Sequence, residues 1–134
     1  MAKPITIKMR NAKLRREVKR ASIAPLAKAG ALVEADAKRS MEKGGRIRGR
    51  KTGVPSKAPS PPHVQKGILK GSVEYAHDGP GHVVVGPTEW YGKIHEYGGR
   101  HHPKRPFMRP ALMRMQRQFS KLWRNLKFKQ HGGR

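Results

Sequence analysis

Apolar residues recur along this chain with changing rhythm. From about Asn11, Leu14, Val18, Ala21, Pro25, Ala29, Val33, Ala37 and Met41 step by three or four positions, drawing one narrow stripe down a helix. Its members are mostly small, so a neighbouring element can approach closely. Pro25 has no N–H to donate inside a helix, so it should kink this one or start a second at about Ile23. Gly44-Gly45 is the expected stop. Ahead of the stripe, Ile5, Ile7 and Met9 alternate weakly, as a short edge strand or an extended arm would.

In the middle of the chain the period shortens to two. Over residues 68–77, Leu69, Val73 and Tyr75 share one face and Lys70, Ser72 and Glu74 the other, which predicts a strand. His77-Asp78-Gly79-Pro80-Gly81 supplies a turn, and residues 82–86 return as the second strand of a hairpin. Pro87-Thr88-Glu89 reads as a helix start capped by Thr88, with Gly98-Gly99 as its end. That helix would carry Trp90, Ile94 and Tyr97 on one face, and large aromatics dominate burial in small domains, so all three are assigned to the core.

The last element has the most regular pattern. Met108, Leu112, Met115, Phe119, Leu122 and Leu126 are spaced 4, 3, 4, 3 and 4, a heptad seam expected to pack on a sheet or a neighbouring helix. Leu112, Met115, Phe119 and Leu122 are accordingly core candidates. Arg114, Arg117, Lys121 and Arg124 repeat the spacing two residues later, roughly 200° around the axis. One side of this helix is therefore apolar and the other a ladder of cations. Just ahead, Arg105-Pro106 and Arg109-Pro110 bracket Phe107, and the prolines pre-set φ for a helix start. An aromatic flanked by arginines suits an intersubunit contact, which makes Arg105, Phe107 and Arg109 interface candidates.

Composition narrows the setting. A chain of 134 residues suits one domain, 1–134, with a small core, since only 35% of its residues are hydrophobic and 29% are charged. Residues 44–67 hold many glycines and prolines, six Lys/Arg, and only Ile47, Val54 and Val64 as large apolar residues. Such a segment cannot offset its own ordering entropy, so a flexible basic loop is expected there, and a basic tail over 128–134. The net charge is +23, from 31 basic and 8 acidic side chains, with no acid after Glu96. Charge of that size repels itself and calls for an anionic counterpart: nucleic acid, through counterion release, or an acidic protein. Arg46, Arg48, Arg50 and Lys51 of the loop and Arg114, Arg117, Lys121 and Arg124 of the last helix are the candidates to face DNA or such a partner. The first residues lack the apolar core of a secretory signal, and no run approaches the ~20 apolar residues that cross a bilayer. A soluble protein made in the cytoplasm, without a membrane, is the expectation.

Catalytic and metal chemistry find little footing. There is no cysteine, hence no thiolate ligand, disulfide or Cys nucleophile. Among the seven histidines, His95, His101 and His102 sit amid Arg100, Lys104 and Arg105, whose charge opposes a metal cation. His95-Glu96 is half of a metalloprotease pattern, but the position for the second histidine holds Gly99. Glu34 and Asp36 fall on different helix faces, and the serines lack a nucleophile-elbow setting. Gly44–Gly53 has neither the strand nor the helix that flanks a phosphate loop. No enzyme activity and no cofactor are expected.

Four short motifs in order carry a resemblance. Pro61-Pro62-His63 with Gly67-Ile68-Leu69-Lys70-Gly71-Ser72-Val73, then Val84-Val85-Gly86-Pro87, then Tyr91 through His95-Glu96-Tyr97-Gly98, then Arg105-Pro106-Phe107-Met108-Arg109-Pro110-Ala111-Leu112, together resemble the tail-completion, or neck, proteins of tailed bacteriophages. The likeness covers about residues 58–115, and the small-residue N-terminal helix more loosely. Lys66-Gly67 stands where the family usually has threonine-glycine, and the charge is higher than the family's. The resemblance implies a small α+β subunit: a long N-terminal helix, a flexible basic loop, a small antiparallel sheet with a hairpin, a short aromatic helix and a C-terminal amphipathic helix. It implies a non-enzymatic virion protein forming a homo-oligomeric ring, six- or twelve-fold, at the head–tail junction. Its partners would be the adjacent head-completion or connector and tail proteins, and packaged double-stranded DNA held nonspecifically. A tail-terminator ring in the same assembly, or a small basic nucleic-acid-binding protein, are the alternatives.

Overall fold

The computed structural model of the chain describes residues 11–42, 57–64 and 66–124. The expected arm over 1–9, the Gly44-Gly45 stop, Arg46, Arg48, Arg50 and Lys51, Leu126 and the 128–134 tail lie outside these residues. Asn11 opens α1 (Ala12–Ala21): its side-chain oxygen accepts from the Lys13 and Leu14 N–H groups at 3.0 and 3.3 Å. α2 follows as Ile23–Glu42 after a break at Ser22. Pro25 explains the break. It falls in the first turn of α2, where an N–H would have no intrahelical acceptor, so its lack of one costs nothing there.

α2 is the spine of the fold. Pro25, Ala29, Val33, Ala37 and Met41, four residues apart, are all buried along one stripe, as the spacing predicted. Gly30 beside that stripe is buried too. A Cβ at this position would stand 2.8 Å from Val83 Cγ1 and 3.0 Å from the Tyr75 ring, so the hairpin lies directly on the helix backbone.

The hairpin is β1 (Val73–His77) and β2 (Val83–Pro87), antiparallel, with Val73 opposite Pro87 and His77 opposite Val83. The expected strand over 68–77 is therefore half right: Ile68–Ser72 forms a short helix, α3, leading into β1. The reason is the length of the partner. β2 ends at Pro87, which has no N–H to extend a ladder, and Thr88 adds one last bond, donating to the Ser72 carbonyl at 3.0 Å. Residues 68–72 have no strand to pair with, and Ser72 Oγ instead closes the turn onto the Leu69 carbonyl at 2.8 Å.

That use of Thr88 also moves the next helix. Thr88 binds back to Ser72 and caps nothing, and α4 is Gly92–Tyr97, entered from Tyr91. Trp90 thus lies in the preceding turn, off the helix face, and is 74% exposed. Tyr97, in the last position of a six-residue helix, is also 74% exposed. Both assignments to the core are overturned, and only Ile94 of that trio is half-buried. Gly98 ends α4 with φ 82°, its N–H returning to the Ile94 carbonyl at 2.8 Å.

α5 (Met108–Trp123) packs on α2. The hydrophobic core joins Val33, Ala37 and Met41 of α2, Val73 of β1, and Phe107 and Ala111 at the start of α5. Met108, Met115 and Phe119 pack against it half-buried, and Leu122 is half-buried further along. Leu112 is 48% exposed, which overturns its place in the core. The buried stripe runs through Ala111 instead, one residue or roughly 100° around the helix from Leu112. Two fully buried alanines, Ala37 and Ala111, let α2 and α5 approach closely, and an ion pair sets the rotation. The architecture is α+β: a two-stranded antiparallel sheet and α5 share one long helix as their floor. Among the described residues no helix is long and apolar enough to cross a membrane.

Candidate assembly surface

The Arg105–Leu112 corner is held by a carboxylate from the preceding helix. Glu96, near the end of α4, accepts three backbone N–H groups: Phe107 and Met108 on Oε2 at 2.9 and 3.0 Å, and Arg109 on Oε1 at 2.9 Å. Every helix begins with four N–H groups that lack intrahelical acceptors. In α5 those positions are Phe107, Met108, Arg109 and Pro110, and the fourth has no N–H at all. One carboxylate and one proline therefore account for the whole helix end. The negative charge also sits at the positive end of the helix dipole. Phe107 itself offers no side-chain cap. The available signal was a helix start without Ser, Thr, Asp or Asn at its cap, and Glu96 as the last acid in the chain.

The same corner corrects the interface candidates. Phe107 is fully buried and forms part of the subunit core, so it is not an intersubunit plug. Arg109 is exposed, and its backbone serves the Glu96 cap. Arg105 is half-buried; its N–H donates to the His95 carbonyl at 2.7 Å, fastening the loop back onto α4.

Of the cation ladder on α5, Arg114 is engaged within the fold. Its Nε and one terminal nitrogen each lie 2.7 Å from Oδ2 of Asp36, a buried acid on α2. This pair fixes which side of α5 meets α2, and it removes Arg114 from the set expected to face DNA. Arg117, Lys121 and Arg124 remain exposed.

Apolar side chains complete the surface. Trp90 and Tyr97 are joined by Leu112 at 48% and Met113 at 60% exposure. Tyr97 and Leu112 line a groove of about 760 Å³ with Val84, Pro87 and Met108, between β2, α4 and the start of α5. Trp90 stands outside that groove, its ring edge-on to Tyr91 at 5.8 Å.

Titration is perturbed at two neighbouring rings. Burial, then the charges of Arg105 and His102, lower the His95 pKa below the ordinary histidine value. Burial, then the Glu89 carboxylate, raise the Tyr91 phenol. Among the described residues no three His, Asp or Glu side chains converge as a metal site.

These features define a small, strongly basic α+β unit with a capped helical corner and large apolar side chains on its outside. Comparisons of the chain with protein families, curated proteins and solved structures find no match.

Proposed function

We propose that this chain is a structural subunit of a tailed-phage particle, a neck or tail-completion protein that forms a homo-oligomeric ring where the DNA-filled head meets the tail. The observation that carries the reading is the exposure of Trp90 and Tyr97, each 74%, on a subunit whose core is small. Large apolar groups left outside in this way mark contact surfaces. An aromatic knob at Trp90 and an apolar groove at Tyr97 and Leu112 are distinct patches on one subunit. Contacts between unlike patches run head to tail, and close into rings where the rotation between neighbours closes. The motifs that resemble the phage family also gain structural roles: one lies on α3 and the start of β1, one ends β2, one forms α4, one starts α5, and Glu96 ties the last two together. The exposed row Arg117, Lys121 and Arg124 is the surface for packaged DNA or an acidic neighbouring ring.

The test has two parts. Light scattering of the purified chain gives its mass in solution, and electron microscopy of virions locates it. A ring at the head–tail junction is the expected result; a chain that stays monomeric at tens of micromolar and is absent from the junction overturns the proposal. Trp90→Ala with Tyr97→Ala should leave monomer stability within about 0.5 kcal/mol, as for surface substitutions, yet abolish the ring. A second reading, a small basic nucleic-acid-binding protein, is favoured by the +23 charge alone. It requires submicromolar duplex binding by the monomer with a steep salt slope.

A further inference from the structure

Opposite the apolar groove, α4 and the 99–105 loop face residues 62–64 and 66–70 across a cavity of about 440 Å³. Three stretches of chain bring nitrogen groups to it: His63, Lys66 and Lys70 ahead of β1, His95 from α4, and His102 and Arg105 from the loop. Met41, Val64 and Leu69 supply an apolar wall, and the Tyr91 phenol adds a hydroxyl. Among the described lining residues none is acidic. Arg105 Nε is buried and has no hydrogen-bond partner among the described residues. A buried charged donor left in that condition costs more than a neutral one, and native folds normally give it an acceptor.

We propose that this cavity is a binding seat for one carboxylate, the side chain of an aspartate or glutamate presented by a partner protein. Three observations converge on that ligand. Arg105 lines the cavity, and arginine recognises carboxylates in fixed geometry. The apolar wall suits the methylene stem of an acidic side chain better than the polar sugars that flank a phosphate on a duplex backbone. The excess of cations around the cavity, with no acid among its described lining, gives the charge complementarity. The depressed His95 pKa fits the same picture, because the Arg105 and His102 charges that disfavour another proton there would be offset by an arriving anion. The seat belongs to the single subunit and does not depend on ring formation.

Histidine-ring NMR of the full chain tests this, with sodium acetate, inorganic phosphate, and a short peptide carrying one glutamate between leucines as probes. Chloride serves as the control at equal ionic strength. Acetate should shift the His95 and His102 resonances saturably, and bound anion should raise the His95 pKa. Binding should tighten as pH falls, because His95 then adds charge beside Lys66, Lys70 and Arg105. The peptide should bind at least tenfold more tightly than acetate. Arg105→Gln should abolish the saturable shift, and Lys66→Gln, at an exposed position, should weaken it severalfold without touching the fold. Equal shifts with chloride, or unchanged binding in both variants, overturn the site. Phosphate binding tenfold tighter than acetate, or a peptide no better than acetate, overturns the carboxylate and partner assignments.

Discussion

Replacing Glu96 with alanine removes the acceptor of three backbone N–H groups at once, and the structure allows the cost to be worked out. A hydrogen bond to a charged group contributes about 1.5–3 kcal/mol, but the three share one carboxylate and are not additive. The Arg109 N–H is exposed, so water replaces that bond at small cost. The Phe107 and Met108 N–H groups are partly buried, and each left unsatisfied costs about 1–1.5 kcal/mol. Loss of a negative charge at the helix N-terminus adds about 0.5–1 kcal/mol. The total is about 3 kcal/mol, a large part of the roughly 5–15 kcal/mol that holds an ordinary domain together. Urea unfolding at a protein concentration low enough to keep the chain monomeric reads this directly. With a slope of about 1.5 kcal/mol per molar urea, the midpoint should fall by about 2 M at unchanged slope. Glu96→Gln keeps one acceptor oxygen and loses the charge, so about half the effect is expected. Amide exchange at Phe107, Met108 and Arg109 should accelerate more than at residues in the middle of α5. A Glu96→Ala midpoint within about 0.3 M of the parent, or exchange rates at those three amides that do not change, would refute the capping account.

Three further outcomes follow from the packing. In a double-mutant cycle, Asp36→Ala and Arg114→Ala should couple by about 1–3 kcal/mol in urea unfolding, with Asp36 the more buried partner; additive effects would mean the pair contributes nothing. Gly30→Val forces side-chain atoms into Val83 and Tyr75 and should lower stability by about 2 kcal/mol or more, whereas a neutral result would place the hairpin farther from α2. His95 titrates lower folded than unfolded, so the unfolded chain binds the extra proton first. Its contribution to stability is full above about pH 6.5 and is lost as pH falls from there through its folded pKa. His95→Gln should flatten the stability profile in that window, and an unchanged slope would assign the acid sensitivity elsewhere.

What could be read from the residues alone depended on how far apart the partners lie in sequence. The four-residue stripe from Pro25 to Met41, the interruption ahead of Pro25, the hairpin and the glycine stop after Tyr97 are local patterns, and all stand in the fold. Ile68–Ser72 looked like strand because alternation alone does not reveal how long the partner strand is. The α5 seam was legible at Met108, Met115, Phe119 and Leu122, which face the core, but not at Leu112. The apolar positions allow either Leu112 or Ala111 to face inward, and the ion pair of Arg114 with Asp36, 78 residues earlier, accompanies the choice of Ala111. The general behaviour of aromatics predicts Trp90 and Tyr97 in the core, but α4 begins after Trp90 and is too short to bury Tyr97 at its end. Glu96 was passed over because helix caps are usually sought next to the helix, whereas this one arrives from 11 residues upstream.

The Glu96 contacts also determine what the basic loop between α4 and α5 can do. Residues 98–106 leave α4 and re-enter α5 through the same carboxylate, with Gly99 and His102 bonded across the turn and Arg105 bonded back to His95. Holding a residue in one backbone conformation costs about 1–2 kcal/mol of entropy, and here folding has already met that cost for Arg100, Lys104 and Arg105. An anionic surface arriving at this loop meets a backbone already in position, so its attraction has only the side chains left to order. The carboxylate that stabilises a helix end thereby also sets the rigidity with which the subunit presents its charge.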